Sequence, residues 1–319
     1  MLIQVTCLIV GFVLLIKGAD EFVEGASKLS SKMNIPPIVI GLTVVAFGTS
    51  APEAAISIIS GMNGDADLAI GNIIGSNVIN VLVILGISGC VKCLKVNCNT
   101  YRYEIPFVML ITLFLIILGK LGEKLDFLDG IILWVLFFVF LCYLYQLAKR
   151  GENVAVSEIE KVRVQDTLFR LILVIILGIT AIIFGSNLTI DAAVYIATEM
   201  NVSQRLIGLT VIAFGTSLPE LVTSVTASLK GKCDLAVGNI VGSNIFNILF
   251  VLGTTALVCP EALVFKNSFI IDGMVAIGAL FLLYIFIGKD FYLKRVGTVI
   301  MLISYVIYFV SLLYYRRSL

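Results

Sequence analysis

Glu53 and Glu220 are carboxylates set inside long apolar stretches, each at the end of the same thirteen-residue phrase. Gly41-Leu42-Thr43-Val44-Val45-Ala46-Phe47-Gly48-Thr49-Ser50-Ala51-Pro52-Glu53 recurs 167 residues later as Gly208-Leu209-Thr210-Val211-Ile212-Ala213-Phe214-Gly215-Thr216-Ser217-Leu218-Pro219-Glu220, with eleven of the thirteen positions identical. A charged side chain in the middle of a membrane helix costs about 2.5–3.5 kcal/mol on insertion scales, so each glutamate is expected to face a cavity or a partner. At helical spacing Thr49, Glu53 and Ser57 share one face, with Ala46 and Ser50 in the adjacent row. Pro52 has no amide hydrogen, so the Gly48 carbonyl loses its helical donor. Hydroxyls, a carboxylate and a freed carbonyl are hard oxygen ligands, the kind that Ca²⁺ and Na⁺ take. The second copy repeats the set as Ala213, Gly215, Thr216, Ser217, Pro219, Glu220 and Ser224.

A second phrase follows each of these. Asp67-Leu68-Ala69-Ile70-Gly71-Asn72-Ile73-Ile74-Gly75-Ser76-Asn77-Val78-Ile79-Asn80 is answered by Asp234 to Asn247, with ten of fourteen positions identical. Asn72, Ser76 and Asn80 fall on one helix face, as do Asn239, Ser243 and Asn247. Such a row either lines a site or bonds helix to helix, and its repetition beside the glutamates favours lining. Gly71 with Gly75, and Gly238 with Gly242, are spaced for close helix packing rather than ligation.

The elements that must position these residues are membrane helices. Of 319 residues 60% are hydrophobic and 13% charged, and the mean hydropathy is +1.09, far from soluble-domain composition. The fold class is therefore an all-α polytopic membrane protein. Ten spans are expected near 2–25, 36–61, 67–90, 104–120, 127–148, 167–187, 203–229, 235–258, 268–288 and 294–314. They divide into a first five-helix repeat (1–148), a charged cytoplasmic linker (149–166) and a second five-helix repeat (167–319). An odd number of spans per repeat inverts the second copy, which places sites near the midplane where the repeats meet. Gly11 and Gly18 answer Gly178 and Gly185 at the same offset, so the apolar start belongs to the repeat and is expected to be retained rather than cleaved. Fifteen Lys and Arg fall on one side of this layout and six on the other, which puts both termini outside. Glu53 and Glu220 are the only acids expected deep in spans. Asp20, Glu21 and Glu24 lie beyond the first core, with Lys17–Glu21 and Glu24–Lys28 spaced as i,i+4 pairs.

A net charge of +1 predicts no nucleic-acid partner. The seven cysteines include Cys90-Val91-Lys92-Cys93, but there is no histidine and no second such pair to complete a zinc site. Cys7, Cys142 and Cys259 read as small hydrophobes. No nucleophile–base pair accompanies the acids, so an enzyme is not expected and no cofactor is called for.

Gly-Thr-Ser-x-Pro-Glu at 48–53 and 215–220, each followed by Gly-Ser-Asn-x-x-Asn at 75–80 and 242–247, resembles the repeats of the sodium/calcium exchanger family, within the cation/calcium antiporter superfamily. The resemblance covers nearly the whole chain. It implies a small prokaryotic-type exchanger that moves Ca²⁺ against Na⁺ across a cytoplasmic membrane, with those two ions and the lipid bilayer as its partners. It further implies that Glu53 and Glu220 are shared ligands and that Thr49 and Thr216 lend backbone oxygens to Ca²⁺. Ala46, Ser50, Ser76 and Asn80, with Ala213, Ser217, Ser243 and Asn247, would complete flanking Na⁺ sites. Some members carry an acid at the position of Asn247, whereas this chain has Asn there and at Asn80. The linker has no room for a calcium-sensing domain. A Ca²⁺/H⁺ exchanger using the same glutamates is the nearest alternative reading, and a passive cation channel is a second.

Overall fold

A computed structural model describes residues 2–150, 166–200 and 213–315. In chain order the helices are α1 (Leu2–Met33), α2 (Pro37–Thr49), α3 (Ala51–Met62), α4 (Ala66–Val91), α5 (Thr100–Gly122), α6 (Phe127–Arg150), α7 (Leu168–Glu199), α8 (Ala213–Thr216), α9 (Leu218–Leu229), α10 (Cys233–Val258), α11 (Asn267–Ile287) and α12 (Arg295–Tyr315). Four two-residue strands accompany them: β1 (Leu94–Lys95), β2 (Lys124–Leu125), β3 (Leu263–Val264) and β4 (Tyr292–Leu293). Among the described residues eight helices are long and apolar enough to span a membrane, and α2 with α3 makes a ninth span, bent by 52°. The expected span 203–229 is described only as α8 and α9, because 201–212 lie outside the described residues.

Strand pairing supplies the missing count. β1 pairs antiparallel with β4 and β2 with β3. Paired backbones lie at one face of the membrane, so an even number of crossings separates them. From β1 to β4 the chain passes α5, α6, α7, α8–α9, α10 and α11; from β2 to β3 it passes α6, α7, α8–α9 and α10. Both numbers are even only when the segment ending in α9 crosses. Ten spans result, five per repeat, and the second repeat is inverted.

Two expected spans are longer than the apolar pattern suggested. α1 continues to Met33 and α7 to Glu199, rather than stopping near 25 and 187. α1 and α7 run antiparallel so closely that a Cβ on Gly18 would meet the Gly178 carbonyl at 3.0 Å, and one on Gly185 would meet that of Gly11 at 2.8 Å. Beyond the apolar core, Asp166 at the start of α7 meets Lys28 at 3.7 Å and Arg170 at 2.8 Å. Glu24 bonds Lys28 as expected (3.6 Å), and also Lys232 (3.1 Å). Lys230 reaches Asp20 at 2.8 Å. These bonds fasten α1 to the end of α9 at the lysine-rich face. The offset counterparts at the other face, Asn63 and Asp65 with Asn187 and Asp191, include no cation.

The bent helices enter the next span through a repeated turn. Gly64 and Gly231, 167 residues apart, sit at φ +81° and +76°, a left-handed backbone that glycine adopts without strain. After each turn comes a central helix. The α4 window is 78% buried and that of α10 94%, against 22–39% for the windows of the other long helices. α10 packs directly on α2: a Cβ on Gly238 would lie 3.0 Å from the Gly41 Cα, and one on Gly242 would lie 2.7 Å from the Leu42 Cα and 2.8 Å from the Ala46 Cβ. The expected close packing thus holds at Gly238 and Gly242. The matching contacts of Gly71 and Gly75 would fall on residues 208–213, whose side chains lie outside those described. Because backbone fills the space at Gly242, Gly242→Ala is expected to destabilise the protein by about 1–3 kcal/mol, the usual cost of overpacking. A lowered midpoint in detergent thermal unfolding would register it, while Gly278→Ala, which has no neighbour within 4 Å among the described residues, should leave the midpoint unchanged.

Candidate cation-binding site

Proline and its neighbours break both bent helices at the same place. Ser50 (φ −83°, ψ 8°) separates α2 from α3, and Ser217 (φ −91°, ψ 8°) separates α8 from α9. Pro52 and Pro219 sit in the first turn of the following helix, where the missing N–H costs nothing. Glu53 and Glu220 share that first turn, so each carboxylate lies at the positive end of a half-helix. A helix N-terminus stabilises a nearby anion by about 0.3–1 kcal/mol, and by up to ~2 kcal/mol when partly buried. The last carbonyls of the preceding segments, those of Thr49 and Thr216, end without a continuing helix and supply partial negative charge.

The two breaks interlock. Ser50 Oγ donates to Glu220 Oε1 at 2.7 Å, and Ser217 Oγ donates to Glu53 Oε1 at 3.4 Å. Each carboxylate therefore takes its hydroxyl donor from the opposite motif. Glu53 and Glu220 are both 1% exposed, and the Oε2 of each has no hydrogen-bond partner among the described residues. Burying an anionic oxygen without a partner is costly, and a bound cation removes that cost. Thr216 Oγ1, Ser243 Oγ, Asn80 Oδ1 and Asn247 Oδ1 are likewise buried and unpartnered.

A symmetric frame supports the interlock. Asn72 Nδ2 donates to Ser57 Oγ (2.9 Å) and to the Glu53 carbonyl (3.3 Å). Asn239 Nδ2 donates to Ser224 Oγ (2.9 Å) and to the Glu220 carbonyl (3.5 Å). The frame is not perfectly repeated, because Asn239 Oδ1 also accepts from Thr49 Oγ1 at 3.0 Å. Thr49, Ser50, Glu53 and Ser57 are all buried, on both sides of the break, as are Thr216, Ser217, Glu220 and Ser224. Ala46, Ser76, Asn80, Ser243 and Asn247 are buried too; the side chain of Ala213 lies outside those described. Asn72 and Asn239 hold the frame rather than line the centre. π-turns begin at Asn80 and at Asn247, and such turns are frequent at functional sites.

Three features differ from the sequence reading. The Gly215 carbonyl freed by Pro219 is not free: Ser186 Oγ of α7 donates to it at 3.1 Å. Its counterpart across the repeat is Ala19, which has no hydroxyl. Besides Glu53 and Glu220, two further acids near the starts of their helices take tyrosine partners. Glu104 in α5 is 1% exposed and accepts from Tyr143 Oη at 2.7 Å, and Asp272 in α11 accepts from Tyr308 Oη at 2.7 Å. Finally, Asn77 and Asn244 join the site's second rank through bonds across the crossing of α4 and α10. Their identity at the 167-residue offset was the signal that could have found them.

Asn239→Ala would orphan Ser224 Oγ and break the bond from Thr49 Oγ1, which keeps the Val45 carbonyl as acceptor, while Asn72→Ala orphans Ser57 Oγ alone. With about 1–3 kcal/mol for the buried hydroxyl left unpaired in either variant and one further bond lost in the first, Asn239→Ala should lower the thermal unfolding midpoint more than Asn72→Ala does.

A family model described as sodium/calcium exchanger protein matches residues 3–146 and 170–314. The putative antiporter CaxA of Alkalimonas amylolytica is 38% identical, the alignment covering 97% of this chain and 98% of that one. The sodium/calcium exchanger MaX1 of Methanosarcina acetivorans is 30% identical over 96% of this chain and 97% of its own. Among solved structures, the sodium-calcium exchanger NCX_Mj superposes with a TM-score of 0.84 at 29% identity, covering 98% of this chain and 99% of that one.

Proposed function

The chain belongs to the sodium/calcium exchanger protein family as a small prokaryotic-type member, and on that premise we propose that it exchanges Ca²⁺ for Na⁺ by alternating access at the buried cluster around Glu53 and Glu220. One observation carries the reading: two carboxylates, each bonded by the serine of the opposite motif, are buried with one oxygen apiece left unpartnered. In this proposal Glu53 and Glu220 are ligands common to both ions, and Thr49 and Thr216 add backbone carbonyls for Ca²⁺. Ala46, Ser50, Ser76 and Asn80, with Ala213, Ser217, Ser243 and Asn247, supply the flanking Na⁺ positions.

Coupling follows from charge. Two carboxylates are neutralised by one Ca²⁺ or by two Na⁺, so the ions exclude each other from the same oxygens. An empty site keeps two negative charges and crosses an apolar barrier poorly, so the protein returns only when loaded. The lysine-rich face is placed on the cytoplasmic side by the positive-inside rule, with both termini outside. α1 and α7 are the moving part: they pack closely on each other along glycines, and together they flank both motifs, through Phe22 and Ile179 beside Gly48 and Ser186 on the Gly215 carbonyl.

Reconstituted in liposomes loaded with Na⁺, the protein should take up Ca²⁺ when external Na⁺ is removed. Glu53→Gln and Glu220→Gln should each reduce that uptake to the protein-free background. Uptake driven by a pH gradient and indifferent to Na⁺ would make protons the counter-ion, and flux indifferent to both would make the protein a channel; either result overturns the proposal.

A further inference from the structure

Four asparagines meet where α4 crosses α10: Asn77, Asn80, Asn244 and Asn247, all buried. Asn77 Nδ2 donates to the Asn244 backbone carbonyl at 3.3 Å, and Asn244 Nδ2 donates to the Asn77 backbone carbonyl at 3.4 Å. Asn247 Nδ2 then donates to Asn77 Oδ1 at 3.1 Å, and Asn80 Nδ2 donates to Asn244 Oδ1 at 3.0 Å. The two remaining side-chain oxygens of this group, Asn80 Oδ1 and Asn247 Oδ1, are buried with no partner among the described residues.

The direction of this relay is dictated by chemistry. A backbone carbonyl can only accept, so the end of Asn77 that meets Asn244 must be its nitrogen. The other end of that amide is therefore an oxygen, and only a nitrogen can meet it. Asn247 must turn its NH₂ toward Asn77 and its Oδ1 away. The same steps, started from the Asn77 carbonyl, turn the Asn80 oxygen away from Asn244. Two backbone atoms thus fix four amides.

We propose that Asn77 and Asn244 are positioning residues that set the polarity of Asn247 and Asn80, so that each presents its oxygen, and not its NH₂, to the transported cation. The inference rests on the reading of Asn80 and Asn247 as cation ligands. An amide can flip in place with no change of volume, exchanging a ligand for two positive hydrogens. A carboxylate at the same position has oxygen on both sides and needs no orientation. A site built with asparagine at both positions needs an orienting partner for each, and the paired Gly-Ser-Asn phrases provide one in each repeat.

The test separates orientation from simple helix-to-helix bonding. Full-length protein in detergent would be titrated with NaCl and with CaCl₂ against a choline chloride control, reading the rise of the unfolding midpoint, since any ion bound to the folded state stabilises it. Asn77→Ala is expected to raise the Na⁺ concentration for half-maximal stabilisation roughly tenfold, the scale of one buried polar group mispaired. Introduced into an Asn247→Asp background, the same substitution should not raise it, because a carboxylate presents oxygen whichever way it lies and loses only the Asn77 oxygen that opposes it. Equal shifts in both backgrounds, or none in either, would overturn the inference and leave Asn77 a packing residue. The mirror pair, Asn244→Ala with and without Asn80→Asp, reads the same relation should Asn77→Ala fail to accumulate. A wild type stabilised by neither ion would overturn this inference together with the assignment of the ligands. A wild type that binds Na⁺ with the predicted pattern but shows no Na⁺-driven Ca²⁺ uptake would sink the exchange reading alone.

Discussion

Two carboxylates buried beside each other at membrane depth repel, and each would lose its charge without compensation. The arrangement around Glu53 and Glu220 answers this with parts drawn from both repeats: the serine bond to each acid comes from the other motif, and the half-helix behind each acid turns its positive end inward. Neither repeat could bury its own glutamate alone. The breaks at Ser50 and Ser217, the close approach of α10 to α2 and the asparagine frame all bring the two motifs within hydrogen-bond reach. What remains unpartnered is one oxygen per acid with a few amide and hydroxyl oxygens nearby, all acceptors for a cation.

Much of this was legible in the sequence because a repeat writes each element twice. The glutamates, their hydroxyl neighbours, the proline breaks and the inverted ten-span layout follow from the offset of 167 and from apolar spacing. Contacts between distant positions were not legible. Glu104 looked like the polar edge of a span, because its partner Tyr143 lies on the next helix. Ser186 could not be placed on the Gly215 carbonyl by spacing alone, and the repeat argued against it, since Ala19 holds the matching position. Asn77 and Asn244 fall off the faces of Ser76 with Asn80 and of Ser243 with Asn247 on a helical wheel. A wheel shows which residues share a face; it says nothing of a second helix crossing at that point. The overlong end of α1 escaped because its polar turn is held by ion pairs, to which hydropathy is blind.

The lysine bonds at the end of α1 show where the repeat stops being a symmetry. Lys230 and Lys232 sit where the first copy has Asn63 and Asp65, and they hold α1 through Asp20 and Glu24. At the opposite face the same positions offer acids and amides only. Among the described residues the helix pair is therefore fastened by ions at one face and not at the other, and it meets the two faces of the membrane on unequal terms.

The short pairings of β1 with β4 and β2 with β3 have a broader consequence. Each ties a backbone of one repeat to a backbone of the other, one at each face, like stitches through both margins of a seam. Two halves sewn together at both margins cannot rock apart as a pair of jaws. In the proposed exchange the stationary block is then made of both halves, and so is the part that travels, α1 from one and α7 from the other. On that reading duplication gives not two machines facing each other, but a track and a carriage, each built from one rail of either copy.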